Sequence, residues 1–222
     1  MESTVQKLHP ALVAGQRLAL AGSNVAAFSF QGAWDGGCAL HSAAMAVAML
    51  GRLAFPLRVS QRRGGREAAF WKHAEPYYLA GISLDDLATL VWELNWGLRP
   101  VLFEGRHTKV VGFCEQELAR GWPVIVSWRE RHRSQLHAVV VVGIEGQRVG
   151  RTFTPHTLLA LDPAQAEPTL AVYNARITFR TPGASKRNAH AQYVTAHDRC
   201  AIELVGALSF RQTATARKHK PP

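Results

Sequence analysis

The sequence predicts an α+β fold in which N-terminal helices pack on a mainly antiparallel β-sheet, and three observations carry that prediction. Segments with helical spacing crowd the first half of the chain, and β-branched runs crowd the second. Two of the late runs flank a turn at Gly146 to Gly150, so they read as antiparallel neighbours. With 222 residues, 47% hydrophobic and 19% charged, the chain suffices for one well-buried domain. That domain is expected over residues 30–210, after an extended lead-in (1–29) and before a basic, disordered tail (211–222).

The elements follow in order. A helix is expected from Cys38 to Leu50, where Leu40, Ala44, Val47 and Ala48 keep helical spacing and Gly51 closes it. Residues 52–78 are mixed and basic, with a turn at Gly64-Gly65. Ser83 and Asp86 form a capping box for a helix whose apolar face is Leu84, Leu87, Leu90, Val91 and Leu94, ending at Gly97. A strand from Leu98 to Phe103 and a short helix from Phe113 to Arg120 come next. Gly121-Trp122-Pro123 then turns the chain into a strand at Val124 to Trp128. Leu136 to Gly143 is the most strand-like run, followed by the short apolar Leu158 to Leu161 and a mixed stretch from Leu170 to Phe179. Arg180 to Arg199 reads as a polar loop, and Ala201 to Phe210 as the last strand.

The formal net charge is +10, concentrated at Arg58, Arg62, Arg63 and Arg66, at Arg129, Arg131 and Arg133, and in the tail at Arg217, Lys218 and Lys220. Such a field favours acidic partners, and an acidic protein substrate is one of them. The arginine run carries no interleaved aromatics, which points away from nucleic-acid binding by stacking. Cys38, Cys114 and Cys200 form no CxxC, so no zinc ribbon, redox pair or disulfide framework is implied, and a reducing compartment such as the cytoplasm fits. The start of the chain lacks a sustained apolar core before Gln16 and Arg17, which argues against a cleaved secretory signal. Export that reads no such signal is left open, and no apolar run reaches the length of a membrane span.

Chemistry centres on Gln31-Gly-Ala-Trp-Asp-Gly-Gly-Cys38. A thiol at a helix N-terminus faces unpaired N–H groups and the positive end of the helix dipole, which favours its thiolate. A glutamine amide upstream can donate to an oxyanion. A nucleophilic cysteine needs a base and the base needs an orienting group. His137 opens the Leu136 to Gly143 run, and a hairpin centred at Val149/Gly150 brings it to Asp162, which Pro163 follows. Asn174 is the alternative orienter. His41 is read as structural, with substrate contact as its alternative, and Cys114 and Cys200 as core residues. No HExxH, P-loop, GxSxG or GxGxxG occurs.

Gln31, then Cys38 at a helix start, then Gly121-Trp-Pro-Val-Ile-Val, Leu136-His-Ala-Val-Val and Leu161-Asp-Pro, resembles the papain-like cysteine peptidases, most closely the branch that processes bacteriocin leaders after double glycine. The resemblance covers about Phe30 to Pro163. It implies a papain-like arrangement of helices on a sheet, with Cys38 as nucleophile, His137 as general base and acid, Asp162 as its orienter and Gln31 as oxyanion donor. It also implies cleavage after small residues, with no metal or organic cofactor and a peptide or protein as the partner. Two departures stand out: Gln31 precedes Cys38 by seven positions, one more than the family spacing, and Ala39 follows the cysteine where glycine or tryptophan is common. A stand-alone enzyme of this kind is also a candidate secreted effector or interbacterial toxin. The same triad supports acyl transfer or deamidation, and a non-catalytic basic binding module is the reading from another class.

Overall fold

The structure, a computed structural model, describes residues 2–33, 35–57, 64–181 and 185–213. Arg58, Arg62, Arg63 and the tail from residue 214 onward therefore lie outside the described residues.

Strand β1 (Glu2–Leu8) and a two-stranded ribbon of β2 (Leu12–Val13) and β3 (Ala19–Leu20) precede helix α1 (Cys38–Met49). Helices α2 (Gly65–Ala74) and α3 (Leu84–Glu93), strand β4 (Leu98–Glu104) and helix α4 (His107–Ala119) follow. The remainder is β: β5 (Val124–Glu130), β6 (Leu136–Val149), β7 (Thr152–Leu161), β8 (Ala175–Thr178), β9 (Ala191–Val194) and β10 (Arg199–Gln212).

Strands β5, β10, β9, β8, β7 and β6 pair antiparallel in that order, and β6 pairs with both β7 and β5, so the six close into a barrel. β1 adds to β6 and β4 adds to β10 as two further strands. This overturns the expected papain-like layering of helices on a sheet: the molecule is mostly β, a closed barrel with four α-helices among the described residues. Two features account for the difference. β9 lies in the stretch expected to be a polar loop, and its four residues join β8 to β10. β6 and β10 are each 14 residues long and carry register shifts at Val141/Gly143, Glu145/Gly146 and Leu204/Gly206, the local bends that let one strand serve different neighbours along its length.

The run Ala138 to Gly143 is apolar throughout because both its faces are buried. Ala138, Val140 and Val142 join α1, α2 and α3 in one core. Val139 and Val141 join a second, to which every barrel strand contributes and α4 adds Val110, Val111 and Cys114. Helix α1 is buried along its whole length after Cys38, and its alanines let it lie directly on β6 and β5. Helix α3 starts at the expected cap, where the Ser83 hydroxyl accepts the Asp86 N–H at 3.0 Å, and it buries Leu87, Leu90 and Val91. No helix among the described residues is long and apolar enough to cross a membrane.

Candidate active site

The barrel brings residues of four strands to one place. His137 is the second residue of β6, Asp162 lies just past β7, Trp128 is in β5 and Tyr193 in β9. The β6–β7 turn falls at Gly150-Arg151, close to the expected centre; the register runs two residues later than expected, with Val140 opposite Leu161. The predicted pair meets nonetheless: His137 Nε2 lies 2.8 Å from Asp162 Oδ1.

An ionised carboxylate only accepts, so the His137 proton in this bond sits on Nε2. That leaves Nδ1 for the other hydrogen bond of the ring, which is to the Cys38 side chain. Burial works against charge on His137, but the bonds to Asp162 and Cys38, with their negative charges, outweigh it and push the imidazole up to about 10. Trp128, the register partner of His137, meets the imidazole edge-on with ring centres 5.1 Å apart and fixes its plane.

Asp162 is 2% exposed and fully engaged. Oδ1 also accepts the Ala164 N–H at 2.8 Å, and Oδ2 accepts the Tyr193 hydroxyl. Burial alone would raise its carboxyl; the His137 bond and charge, then Tyr193 and Ala164, hold it below the usual carboxylate range. Asn174 does not reach the imidazole. Its amide clamps the Asp162 backbone instead, accepting the Asp162 N–H at 2.7 Å and donating to the Asp162 carbonyl at 2.9 Å and the Ala166 carbonyl at 3.0 Å.

Cys38 is the first residue of α1, with Gly37 as its cap. One turn on, the Ser42 hydroxyl donates to the Ala138 carbonyl at 3.3 Å, tying the start of α1 to the residue after His137. Cys38, His137 and Gln31 line one open cleft of about 600 Å³.

The seven-position step from Gln31 to Cys38 forms a loop wound around Asp35. Its carboxylate accepts the Gly32 N–H at 2.6 Å and the Gly37 N–H at 2.9 Å, and the Tyr78 hydroxyl bonds to it as well. Gly36 sits so close to residues 79–81 that a Cβ there would meet the Leu79 carbonyl oxygen at 2.6 Å and the Gly81 nitrogen at 2.7 Å, so no side chain fits. The Gln31 backbone N–H donates to the Pro163 carbonyl at 2.8 Å, fastening the loop beside Asp162. The Gln31 amide donates one hydrogen to the Asp35 carbonyl at 2.6 Å, leaving its second for the cleft.

His41 is not in the cleft. It is buried, its Nδ1 is 2.8 Å from the Ser29 hydroxyl, and its Nε2 faces Asp35 at 3.9 Å. Burial lowers its basicity more than Asp35 restores it. Cys114 is buried in the second core and burial pushes its thiol far up; Cys200 is half-buried with its thiol also raised by burial. Among the described residues no three His, Cys, Asp or Glu side chains converge as a metal site would require.

Tyr193, Asp35 and Ser42 are the functional neighbours that sequence reasoning passed over. Only Asp35 carried a signal, an aspartate ahead of Gly-Gly, which is turn chemistry. In comparisons with known proteins, no family model and no curated protein matches this sequence.

Proposed function

We propose that the chain is a cysteine peptidase acting through Cys38, His137 and Asp162. The observation that carries this reading is the His137 ring, held between the buried Asp162 carboxylate at 2.8 Å and the Cys38 side chain in an open cleft. The order of motifs from Gln31 to Pro163, similar to that of leader-processing peptidases, supports it independently.

His137 is charged through neutral pH, with its Nδ1 proton beside the Cys38 sulfur. The Cys38 sulfur attacks a peptide carbonyl, and the oxyanion that forms meets the α1 N-terminus and the free Gln31 amide hydrogen. His137 gives its Nδ1 proton to the departing amine, leaving an acyl-enzyme. It then takes a proton from water, the hydroxide attacks the thioester, and the thiol leaves. Asp162 keeps the tautomer and stabilises the imidazolium in each step. Cleavage after small residues is the preference the resemblance adds.

The test is a mixed peptide library read by mass spectrometry with the unaltered protein, Cys38→Ala and His137→Ala. New chain ends that appear only with the unaltered protein support peptide hydrolysis. Glutamine converted to glutamate without chain cleavage would make the enzyme a deamidase. Identical spectra from all three proteins would refute an enzymatic role.

A further inference from the structure

Among the described residues, the same cleft lacks the lysines and arginines that dominate the charge of the whole protein. The chain carries 26 lysines and arginines against 16 acidic residues, yet no lysine or arginine among the described residues lines the cleft. Two carboxylates do, Asp35 and Glu104. Asp35 is taken up by its own loop, with its side chain only 5% exposed.

Glu104 is different. It is the last residue of β4, it is exposed, and it has no hydrogen-bond or ion-pair partner among the described residues. Glu115, Glu117, Glu130, Glu145, Glu167 and Glu203 each bind an arginine; Glu104, like Glu2, Glu75 and Glu93, does not among the described residues, and of these four only Glu104 lines the cleft. Its register partner across β4 and β10 is Gly206, beside the Leu204/Gly206 bulge, and Gly206 also lines the cleft. A Cβ at Gly206 would stand 3.2 Å from Leu84 and 3.9 Å from the Glu104 Cγ, so the missing side chain keeps the wall open next to the carboxylate. Leu84, Ile82, Leu136 and Val205 supply apolar lining suited to the methylene stem of a long cationic side chain.

We infer that Glu104 forms a subsite for a lysine or arginine side chain of the substrate, placed beside an apolar wall of the catalytic cleft. The inference rests on the peptidase reading for its biological meaning, but the binding it asserts is measurable without catalysis. The net positive charge of the chain and the Glu104 carboxylate then act at different ranges. The net charge governs approach, and Glu104 selects a cationic residue near the bond that is cut.

The test is a positional-scanning decapeptide library bound to Cys38→Ala protein, compared with Cys38→Ala/Glu104→Gln and Cys38→Ala/Glu104→Lys. The expected result is enrichment of lysine and arginine over glutamine at one position by about fivefold, the scale of an exposed ion pair. That preference should vanish with glutamine at 104, shift to acidic residues with lysine there, and weaken in high salt. Equal residue preferences in all three proteins, or no peptide retained by any, would overturn the subsite. Failure of the peptidase reading looks different: cationic peptides retained by the Cys38→Ala protein would be left uncut by the unaltered one.

Discussion

Replacing Tyr193 by phenylalanine removes one oxygen from behind the proposed catalytic pair and leaves the rest of the ring in place. The ring packs on Trp128 with centres 4.7 Å apart, and the residue is 3% exposed, so the packing survives the change. What is lost is the hydroxyl that donates to Asp162 Oδ2, which has no other partner among the described residues. A hydrogen bond to a buried charged acceptor contributes about 1.5–3 kcal/mol. Borne by the ionised form of Asp162, that loss moves its carboxyl back up toward the usual range. In a domain of this size the same loss lowers Tm by about 3–12 °C at neutral pH. Asp162 has a depressed pKa in the folded protein, so its contribution to stability is present above its usual value of 3.8 and lost as pH falls through the folded value. The gap between the two proteins should therefore persist down to the usual value of 3.8 and narrow as pH falls through the depressed folded values below it. Urea unfolding of both proteins at pH 7 and stepwise through the acid range below 3.8 measures this. Equal stability at pH 7, or a gap that does not depend on pH, would refute the assignment of Tyr193 as the support of a charged Asp162.

Two further outcomes follow from the same geometry. Asp35→Asn removes the charge that gathers Gly32 and Gly37, so peptide turnover should fall about 10- to 100-fold, chiefly in kcat, while the unaltered helix core keeps the protein folded; a change confined to KM in steady-state kinetics would contradict it. Stability should peak near pH 6.5. Below that, His41, His107 and His156, whose folded pKa values are lowered chiefly by burial, stay neutral while the unfolded chain gains protons, so stability falls as pH drops. Above it, the contribution of His137, raised to about 10, is lost progressively as pH rises through that value. In His137→Ala the alkaline decline should flatten and the acid one persist, as read from unfolding midpoints across pH 5 to about 10.

The pair at the centre of the site was legible because it depends on local rules. A thiol at the head of an apolar helix and a histidine at the head of a β-branched run are visible as such, and a hairpin links the second to an aspartate whatever the wider topology. Its register could slip by two residues without separating the side chains, since Asp162 lies beyond the ladder and is held by Asn174. Barrel closure was not legible. It depends on Ala191–Val194, four residues in a polar stretch too short to show alternation, and on bulges that no propensity announces. Tyr193 was hidden for the same reason, because nothing local ties residue 193 to residue 162. The longer spacing between Gln31 and Cys38, a departure from the resemblance when read as letters, has a physical account in the turn around Asp35.

The most direct measurement of the central claim is the rate of iodoacetamide modification at each of Cys38, Cys114 and Cys200, followed by peptide mapping at neutral pH. Cys38 should react far faster than the other two, whose thiols burial holds protonated, and the advantage should collapse in His137→Ala. Cys38 reacting no faster than a free cysteine, or unchanged by loss of His137, would contradict the account.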